Sequence, residues 1–303
     1  MRSGPGGMRI AAGAPSLEVT GRLGETPIRI ASGPVGFAVP GNLAARSLDI
    51  ALGPPATASR FRISDLSARI GKDIAGRFSG SDVLLAAVPL DLRDASGTWR
   101  YAGGRLTLAD AGFRLEDRES DDRFQPLIAQ GASLTLADNR IDALATLREP
   151  QSLREVVRTV IRHDLASGRG GADLAVDGLV FDDSVQPDTL TRLALGVVAN
   201  AQGSVRGTGR IDWNSDAVTS GGSFTTDSLD FAAAFGPVKG LSGTVVFIDL
   251  IGLVTAPDQR LRIAAINPGI EVNDGEVQFE LRPNSQIAVT GGTWPFFGGT
   301  LRL

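Results

Sequence analysis

The chain has 303 residues, a formal net charge of −4, and 30 lysine and arginine residues dispersed along its length. It contains no cysteine and one histidine. The absence of cysteine excludes disulfides and thiolate chemistry, and the single histidine is a weak basis for a transition-metal site. Because the basic residues form no cluster, a nucleic-acid partner is also disfavoured. We predict no metal, no cofactor and no nucleic acid.

Pairs of apolar residues two positions apart recur along the first half of the chain. They are Leu17 with Val19, Ile28 with Ile30, Leu48 with Ile50, Phe61 with Ile63, Leu106 with Leu108, and Leu134 with Leu136. Charged or hydroxyl residues stand between the members of each pair, which predicts short strands with one apolar and one polar face. The breaks between the pairs are too short for crossover helices. We therefore expect an antiparallel meander.

One segment departs from this alternation. Between Pro150 and Ala166 the apolar residues fall three and four positions apart, which predicts an amphipathic helix over residues 150–166 that packs on a sheet. The apolar positions are Leu153, Val156, Val157, Val160, Ile161 and Leu165. The helix divides the chain into an N-terminal β segment (1–149), a helix and linker (150–168) and a C-terminal β segment (169–303). Residues 190–199 fit either a second short helix or a buried strand.

The alternation is clearest near the C-terminus. Val277, Phe279 and Leu281 alternate with polar residues, and Ile287 and Val289 follow after a turn. This pattern predicts strands with one apolar and one solvated face. The last three residues begin the alternation again, so we expect the chain to be a piece of a longer protein.

The sequence shows no arrangement of residues that is typical of catalysis. It has neither a G-x-S-x-G nucleophile turn nor a phosphate-binding loop, and His163 has charged neighbours. The adjacent Asp182 and Asp183 would point to opposite faces of a strand and so could not share a substrate. The aromatic segment from Trp294 to Gly299 fits a sugar-stacking platform, but we favour a turn that packs aromatic rings over the end of a sheet. We predict no catalytic residues and no enzymatic activity.

Several linked strings in the C-terminal half resemble a known family. They are FGPVKGLSGTVVFIDLIGLVTAPDQ from Phe235, INPGIEVNDGEVQFEL from Ile266, and GGTWPFFGGTLRL from Gly291. Together they resemble the YdbH-like family of bacterial envelope proteins, within the wider AsmA-like group. DLASGRGGADLAVDGLVF from Asp164 and LALGVVANAQGSVRGTGRIDW from Leu193 are similar to the preceding stretch of that family. The resemblance covers roughly residues 160–303.

The resemblance implies an all-β fold: an elongated antiparallel sheet curled into an open hydrophobic groove, which can be described as a β-taco. It implies a periplasmic protein, anchored in the inner membrane, that moves phospholipid toward the outer membrane without a catalytic step. The implied partners are phospholipid acyl chains, the inner and outer membranes, and an envelope protein. No run of about 18 apolar residues is present, so we expect the anchor of the intact protein to lie outside this chain.

Strand phase identifies the residues that we expect to line this groove. They are Val205, Ile211, Val245, Phe247, Leu261, Ile263, Val277, Phe279, Leu281, Ile287 and Val289. Two other hypotheses fit the same alternation. A structural or interaction module of the envelope, built as a β-sandwich or solenoid, would bury this face against a second sheet. A glycoside-active β-solenoid would need facing carboxylates from different strands.

Overall fold

The computed structural model describes residues 10–303 except 24, 25, 40, 87, 215 and 285. The chain is nearly all β, with 74% in strands and 2% helical, and its antiparallel sheet is open. The prediction of an all-β, open antiparallel sheet is therefore confirmed. The curled groove and the domain limits at 149 and 168 stay predictions.

The strands follow one another with short connections. Their bounds are β1 Ile10–Ala14, β2 Leu17–Leu23, β3 Thr26–Ser32, β4 Val35–Val39, β5 Gly41–Leu52, β6 Ser59–Ile70, β7 Ile74–Leu84, β8 Leu90–Ala102, β9 Arg105–Asp117, β10 Leu127–Ala137, β11 Arg140–Arg148, β12 Glu155–Asp164, β13 Arg169–Phe181, β14 Val198–Trp213, β15 Val218–Ala233, β16 Gly236–Asp249, β17 Val254–Thr255, β18 Gln259–Ile266, β19 Val272–Arg282, β20 Gln286–Phe296 and β21 Gly299–Arg302. Each predicted apolar pair lies within one of these strands, although the strands are mostly longer than the pairs suggest.

Internal contacts divide the chain into two compact units. The first contains Met1–Glu116, Ile128–Ala145 and Arg162–Arg169, and the second contains Asp117–Leu127, Thr146–Ile161 and Gly170–Leu303.

The first unit has a two-faced sheet. Ile50 in β5 is opposite Ile30 in β3 and Phe61 in β6, so an apolar stripe crosses these strands. On the other face, Asp49 is opposite Arg62, and their side chains approach to 3.5 Å. Directly opposite side chains point to the same side of a sheet, which keeps the two chemistries apart.

The predicted helix at 150–166 is wrong, because residues Glu155–Asp164 form strand β12. Residue composition and a local hydrogen-bonded turn both favour a strand here. The segment is rich in β-branched residues, which lose side-chain freedom in a helix and fit a pleated surface. The buried Glu149 carboxylate also accepts hydrogen bonds from the backbone N–H groups of Gln151 (3.1 Å) and Ser152 (2.6 Å), which closes a tight turn where the helix would begin. Leu153 then adopts a positive φ of 59°, which a helix does not tolerate.

Residues 190–199, which the sequence allows to form either a short helix or a buried strand, contain parts of several elements. The helix α1, Pro187–Leu190, ends as the segment begins, a 3₁₀ turn covers Arg192–Ala194, and β14 starts at Val198. Leu190 packs against a buried cluster of Leu179, Phe181, Val185 and Ala201 in the second unit.

Candidate functional site: an apolar face of the second unit

The cross-strand register places all eleven predicted lining residues on one face of the second unit's sheet. We call this set the apolar face. In its C-terminal part Leu261 is opposite Val277. Phe279 is opposite Val289, and Leu281 is opposite Ile287. Ile263 follows Leu261 two positions later in β18. Side chains that are directly opposite in antiparallel strands share a face, so β18, β19 and β20 contribute to one apolar surface.

The same face continues onto β15 and β16. Val245 is opposite Phe224, and Phe247 is opposite Gly222. Phe224 is in turn opposite Gly207 in β14. The two phenylalanines, Phe224 and Phe247, pack edge to face with their ring centroids 5.9 Å apart. The apolar face is therefore held together by direct packing of aromatic rings as well as by the backbone ladder.

Two further register relationships complete this surface. Val205 and Ile211 lie two and four positions from Gly207 in β14, on the same side of the strand. Ser242 in β16 is opposite Arg262 in β18, and both side chains belong to the polar face. The residues that alternate with them in these two strands consequently belong to the apolar face.

Burial varies along the apolar face. Leu261 and Ile263 are buried; Val205, Ile211, Val245, Phe247, Val277, Phe279 and Leu281 are half-buried; Ile287 is 62% exposed and Val289 is 60% exposed. In a β-sandwich, a second sheet covers the inner face of the first. Here seven of the eleven side chains are half-buried and two are exposed, so the described residues do not cover this face completely.

Glycines beneath aromatic rings are a second component of this face. The indole of Trp294 lies over Gly275 and Gly292, and the ring of Phe224 lies over Gly207. A Cβ atom at any of the three glycines would overlap the ring above it. Nothing in the sequence pattern alone pairs these glycines with the rings. Such pairs become visible only when the register is known.

Trp294 is an internal residue and not a sugar-stacking platform. It is 4% exposed and packs with Val238, Ile263 and Val272. For Trp294 the structure thus agrees with the favoured interpretation, in which the segment packs aromatic rings over the end of the sheet, whereas Phe297 in the same segment is 94% exposed.

Several further residues belong to the same face and are not among the eleven predicted ones. Leu179 in β13 is opposite Val205. Leu250, in the turn after β16, reaches over the face to Gly209, where one of its methyl carbons lies 2.7 Å from the position that a Cβ would take. The turn is fixed because the Asp249 carboxylate accepts hydrogen bonds from the Ser220 hydroxyl (2.7 Å) and from the Gly252 N–H (2.9 Å). Alternation within strands does not reveal a residue that reaches the face from a turn.

Ion pairs between neighbouring strands lie on the opposite face, where Val246 is also exposed. Arg206 in β14 binds Asp227 in β15, with its second nitrogen 2.9 Å from the carboxylate. The hydrogen bond from Arg206 lowers the pKa of Asp227, which keeps this carboxylate ionised. Arg210 pairs with Asp173 in β13 at 2.5 Å. The sheet of the second unit therefore separates a charged, solvated side from an apolar one.

Asp182 and His163, the titratable residues discussed above as candidates for chemistry, lie in surroundings that explain them as structural residues. Asp182 accepts hydrogen bonds from Arg154 (2.8 Å) and from the Ser184 hydroxyl (2.7 Å), and these bonds lower its pKa. His163 lies in β12, where burial lowers its pKa. In the described part of the chain, no group of three His, Asp or Glu residues is arranged to hold a metal ion. Nor does any described helix have the length and apolarity needed to cross a membrane.

Comparison with known proteins identifies the family. Residues 2–303 match the family model YdbH-like, which is described as "Intermembrane phospholipid transport protein YdbH". Neither the curated proteins nor the solved structures gave a match. The family match extends the resemblance seen in residues 160–303 to the N-terminal part, where the sequence analysis found only a similar texture of strands. The chain belongs to the YdbH-like family of intermembrane phospholipid transport proteins.

Proposed function

We propose that the apolar face of the second unit binds the acyl chains of phospholipids during non-enzymatic transport between the inner and outer membranes. The observation that carries this proposal is the placement of all eleven predicted residues on one face that is mostly half-buried and accessible. The family description, intermembrane phospholipid transport, supports a lipid as the ligand.

The chemistry of this face suits a ligand that moves. Removing a methylene group from water stabilises the bound state by about 0.8 kcal/mol, and any sufficiently apolar wall provides this gain. The apolar face has mostly aliphatic side chains and offers few polar groups to fix one orientation. A chain that slides along it exchanges one contact for an equivalent one. Such a surface holds lipid without trapping it at a single point.

The remaining features of the proposal concern the intact protein. We propose that the apolar face forms part of an open groove and that the protein functions in the periplasm, anchored to the inner membrane, with an envelope protein as a further partner. The ligand would enter and leave without any covalent step. The intermembrane role of the family supports a location in the cell envelope.

Photocrosslinking within single strands tests the proposal. A photoreactive residue at Phe279 should give phospholipid adducts when the protein is isolated from cells, and the same residue at Glu280, on the opposite side of β19, should not. Val245 and Val246 in β16 provide a better-matched comparison, because both are valines and alternate between the two faces. We expect lipid adducts at Val245 only.

Other outcomes would argue against this function. Equal labelling of Val245 and Val246 would indicate nonspecific contact with detergent or membrane. Protein adducts at Phe279 and Val245, without lipid, would favour an interaction module whose apolar face is covered by a partner. A Phe279→Asp variant that stays folded and retains the full amount of co-purified phospholipid would also contradict the proposal.

A further inference from the structure

Four consecutive turns at one edge of the second unit carry exposed apolar side chains. The register brings these turns to the same edge, because Val198 pairs with Ala233, Val238 pairs with Ile266, and the later hairpins follow the same up-and-down order. The exposed residues at the turns are Leu195, Val197, Phe235, Ile270 and Phe297, which we call the apolar rim.

The opposite edge of the same strands differs. Its turns comprise residues 214–217 (215 excepted), 250–253, 256–258, 283 and 284. None of these described turn residues is an exposed large hydrophobic. Turns are normally built from Gly, Pro, Asn, Asp and Ser. Leu250, Ile251 and Leu253 also lie in these turns, but they are half-buried. It is the exposure of large apolar side chains in the turns of one edge only that requires an explanation beyond turn formation.

Phe297 shows that this exposure is not a by-product of folding. Phe296 pairs with Gly299, so Phe297 and Gly298 form a two-residue turn with φ angles of 45° and 79°. Two positive φ angles define a type I′ turn, for which Asn-Gly is the preferred sequence. A phenylalanine is strained in this conformation, and here it is also 94% exposed. Both properties oppose stability, and an edge-to-face contact with the Phe296 ring, at a centroid distance of 4.6 Å, offsets them only in part.

Two other turns of the chain give an internal comparison. The two residues between β8 and β9 are Gly103 and Gly104, and those between β10 and β11 are Asp138 and Asn139. All four have positive φ angles between 50° and 78°. These turns use residues that tolerate the left-handed region, whereas the turn of the apolar rim places a bulky aromatic residue there. The difference indicates a role for the Phe297 side chain outside the fold.

We propose that the apolar rim contacts the surface of a lipid bilayer and inserts its side chains among the outer acyl segments. In the stretches that carry the rim side chains, residues 191–197, 234–235, 267–271 and 297–298, only Arg192 and Glu271 are charged; the connection before β14 also contains Asp182, Asp183 and Asp188, which precede its rim stretch. Arg192 is paired with Asp122 at 3.3 Å. The rim therefore offers almost no charge for a complementary protein surface, and a neutral bilayer requires none.

The spacing of the rim also favours a bilayer over a folded partner. Neighbouring hairpin ends are two strands apart, or about 10 Å, so the apolar tips form a row of separate points. A protein interface needs a continuous, close-packed core patch to exclude water. A bilayer deforms around each tip and covers it individually. This contact is independent of whether the apolar face carries lipid, because the rim lies at the strand ends.

A substitution that improves the fold provides the decisive test. Phe297→Asn creates the preferred Asn-Gly turn, so we expect an unchanged or higher thermal midpoint for the full 303-residue chain. Flotation with vesicles of zwitterionic phosphatidylcholine should show about tenfold weaker binding of this variant, because one phenylalanine no longer enters the apolar phase. Binding of the unchanged chain should persist at high salt, since it does not depend on charge.

A matched pair of isoleucines serves as the control. Ile270→Ser removes a rim side chain that is 66% exposed, and Ile248→Ser removes one that is 61% exposed near the end of β16, at the opposite edge. We expect only Ile270→Ser to weaken vesicle binding.

Unchanged binding of Phe297→Asn, equal loss in the two isoleucine variants, or no binding by the unchanged chain would overturn the proposal. So would normal vesicle binding combined with loss of a protein partner. Crosslinking at Phe279 remains a separate readout of the apolar face.

Discussion

The indole ring of Trp294 occupies the space above Gly275 in which any other residue would place its Cβ atom. Gly275 lies in β19 and Trp294 lies in the neighbouring strand β20. Because Gly275 has no positive φ angle, the requirement for glycine here comes from space and not from backbone conformation. The ring in turn packs against Ile263 and Val238, so this close approach supports the buried end of the apolar face.

We expect Gly275→Ala to destabilise the protein by about 1–3 kcal/mol, because the added methyl group must displace a packed indole. A lower urea midpoint and a red shift of tryptophan emission would report this displacement.

Gly291→Ala is the matched control for this change. A Cβ at position 291 would meet only the flexible end of the Gln278 side chain, at 3.3 Å. This variant should keep the midpoint and the emission spectrum of the unchanged protein. Equal effects of the two substitutions would show that the packing of Trp294 is not the cause.

A second prediction concerns the turn that replaces the expected helix. Leu153 holds a φ of 59° and its side chain is largely exposed. Leu153→Gly should therefore leave stability unchanged or raise it by about 1 kcal/mol, because glycine adopts this conformation without strain.

The same change in strand β11 should have the opposite sign. Leu144 is similarly exposed but has ordinary strand geometry. Leu144→Gly should lower the free energy of unfolding by about 0.5–1 kcal/mol, since glycine weakens a strand interior. Thermal midpoints of both variants test the pair. A loss of stability in Leu153→Gly would show that the leucine side chain contributes more than its strained backbone costs.

The segment around Leu153 also shows where reasoning from the sequence failed and why. Spacings of three and four suggest a helix. However, Val156, Val160 and Ile161 are β-branched, which favours a strand. The neighbouring strands also provide the hydrogen-bond partners that the backbone of a strand requires. In so short a segment, residue type outweighs periodicity. The decisive contact, the capture of two backbone N–H groups by Glu149, comes from a side chain just before the segment.

The phase of the apolar face was predictable, whereas its depth was not. Alternation in a strand assigns Val277 and Phe279 to one side whatever the register, and the structure placed both on the same face as Leu261. Burial depends on neighbours from other strands and turns. Leu250 reaches the face from a turn, and Trp294 fills the space above Gly275 in the neighbouring strand. No local pattern encodes either contact.

A third prediction concerns pH. The side chain of Asp117 is fully buried and forms a bidentate ion pair with Arg123, with two contacts of 2.7 Å. Burial alone would raise the pKa of Asp117, but hydrogen bonds from Arg123 and from the Glu119 backbone outweigh burial and lower it. The connection between β9 and β10, which contains Arg123, is also joined to the end of α1, because the Thr191 hydroxyl donates a hydrogen bond to the Arg123 carbonyl at 2.7 Å.

The direction of the pH effect follows from the lowered pKa. The folded state binds fewer protons at Asp117 than the unfolded state does, so this residue stabilises the fold above the unfolded pKa of about 3.9. That contribution is lost as the pH falls through the lower, folded value. Asp117→Asn should therefore be less stable than the unchanged protein at neutral pH, and the difference should narrow in acid. Urea midpoints from neutral pH to acid provide the measurement. Asp227→Asn is the control, because Asp227 belongs to an exposed ion pair, and it should change the midpoint little at any pH. A constant difference for Asp117→Asn would contradict the assignment.

The last prediction separates residues that support the apolar face from those that meet the ligand. Ile263 is buried against Trp294 and Val238, whereas Val289 is 60% exposed on the same face. Ile263→Asp would bury a carboxylate without a partner, so we expect a loss of stability of about 3 kcal/mol or more, or failure to fold. Val289→Asp should change the free energy of unfolding by less than about 1 kcal/mol, because its carboxylate stays in water.

If the apolar face carries acyl chains, Val289→Asp should nevertheless reduce the amount of phospholipid that co-purifies. Val289→Thr, which keeps the β-branched shape without a charge, should retain more of it. Mass spectrometry of bound lipid and urea unfolding on the same preparations provide both readouts. A stable Val289→Asp protein with its full amount of lipid would restrict the ligand-binding surface to the deeper, half-buried residues around Phe279.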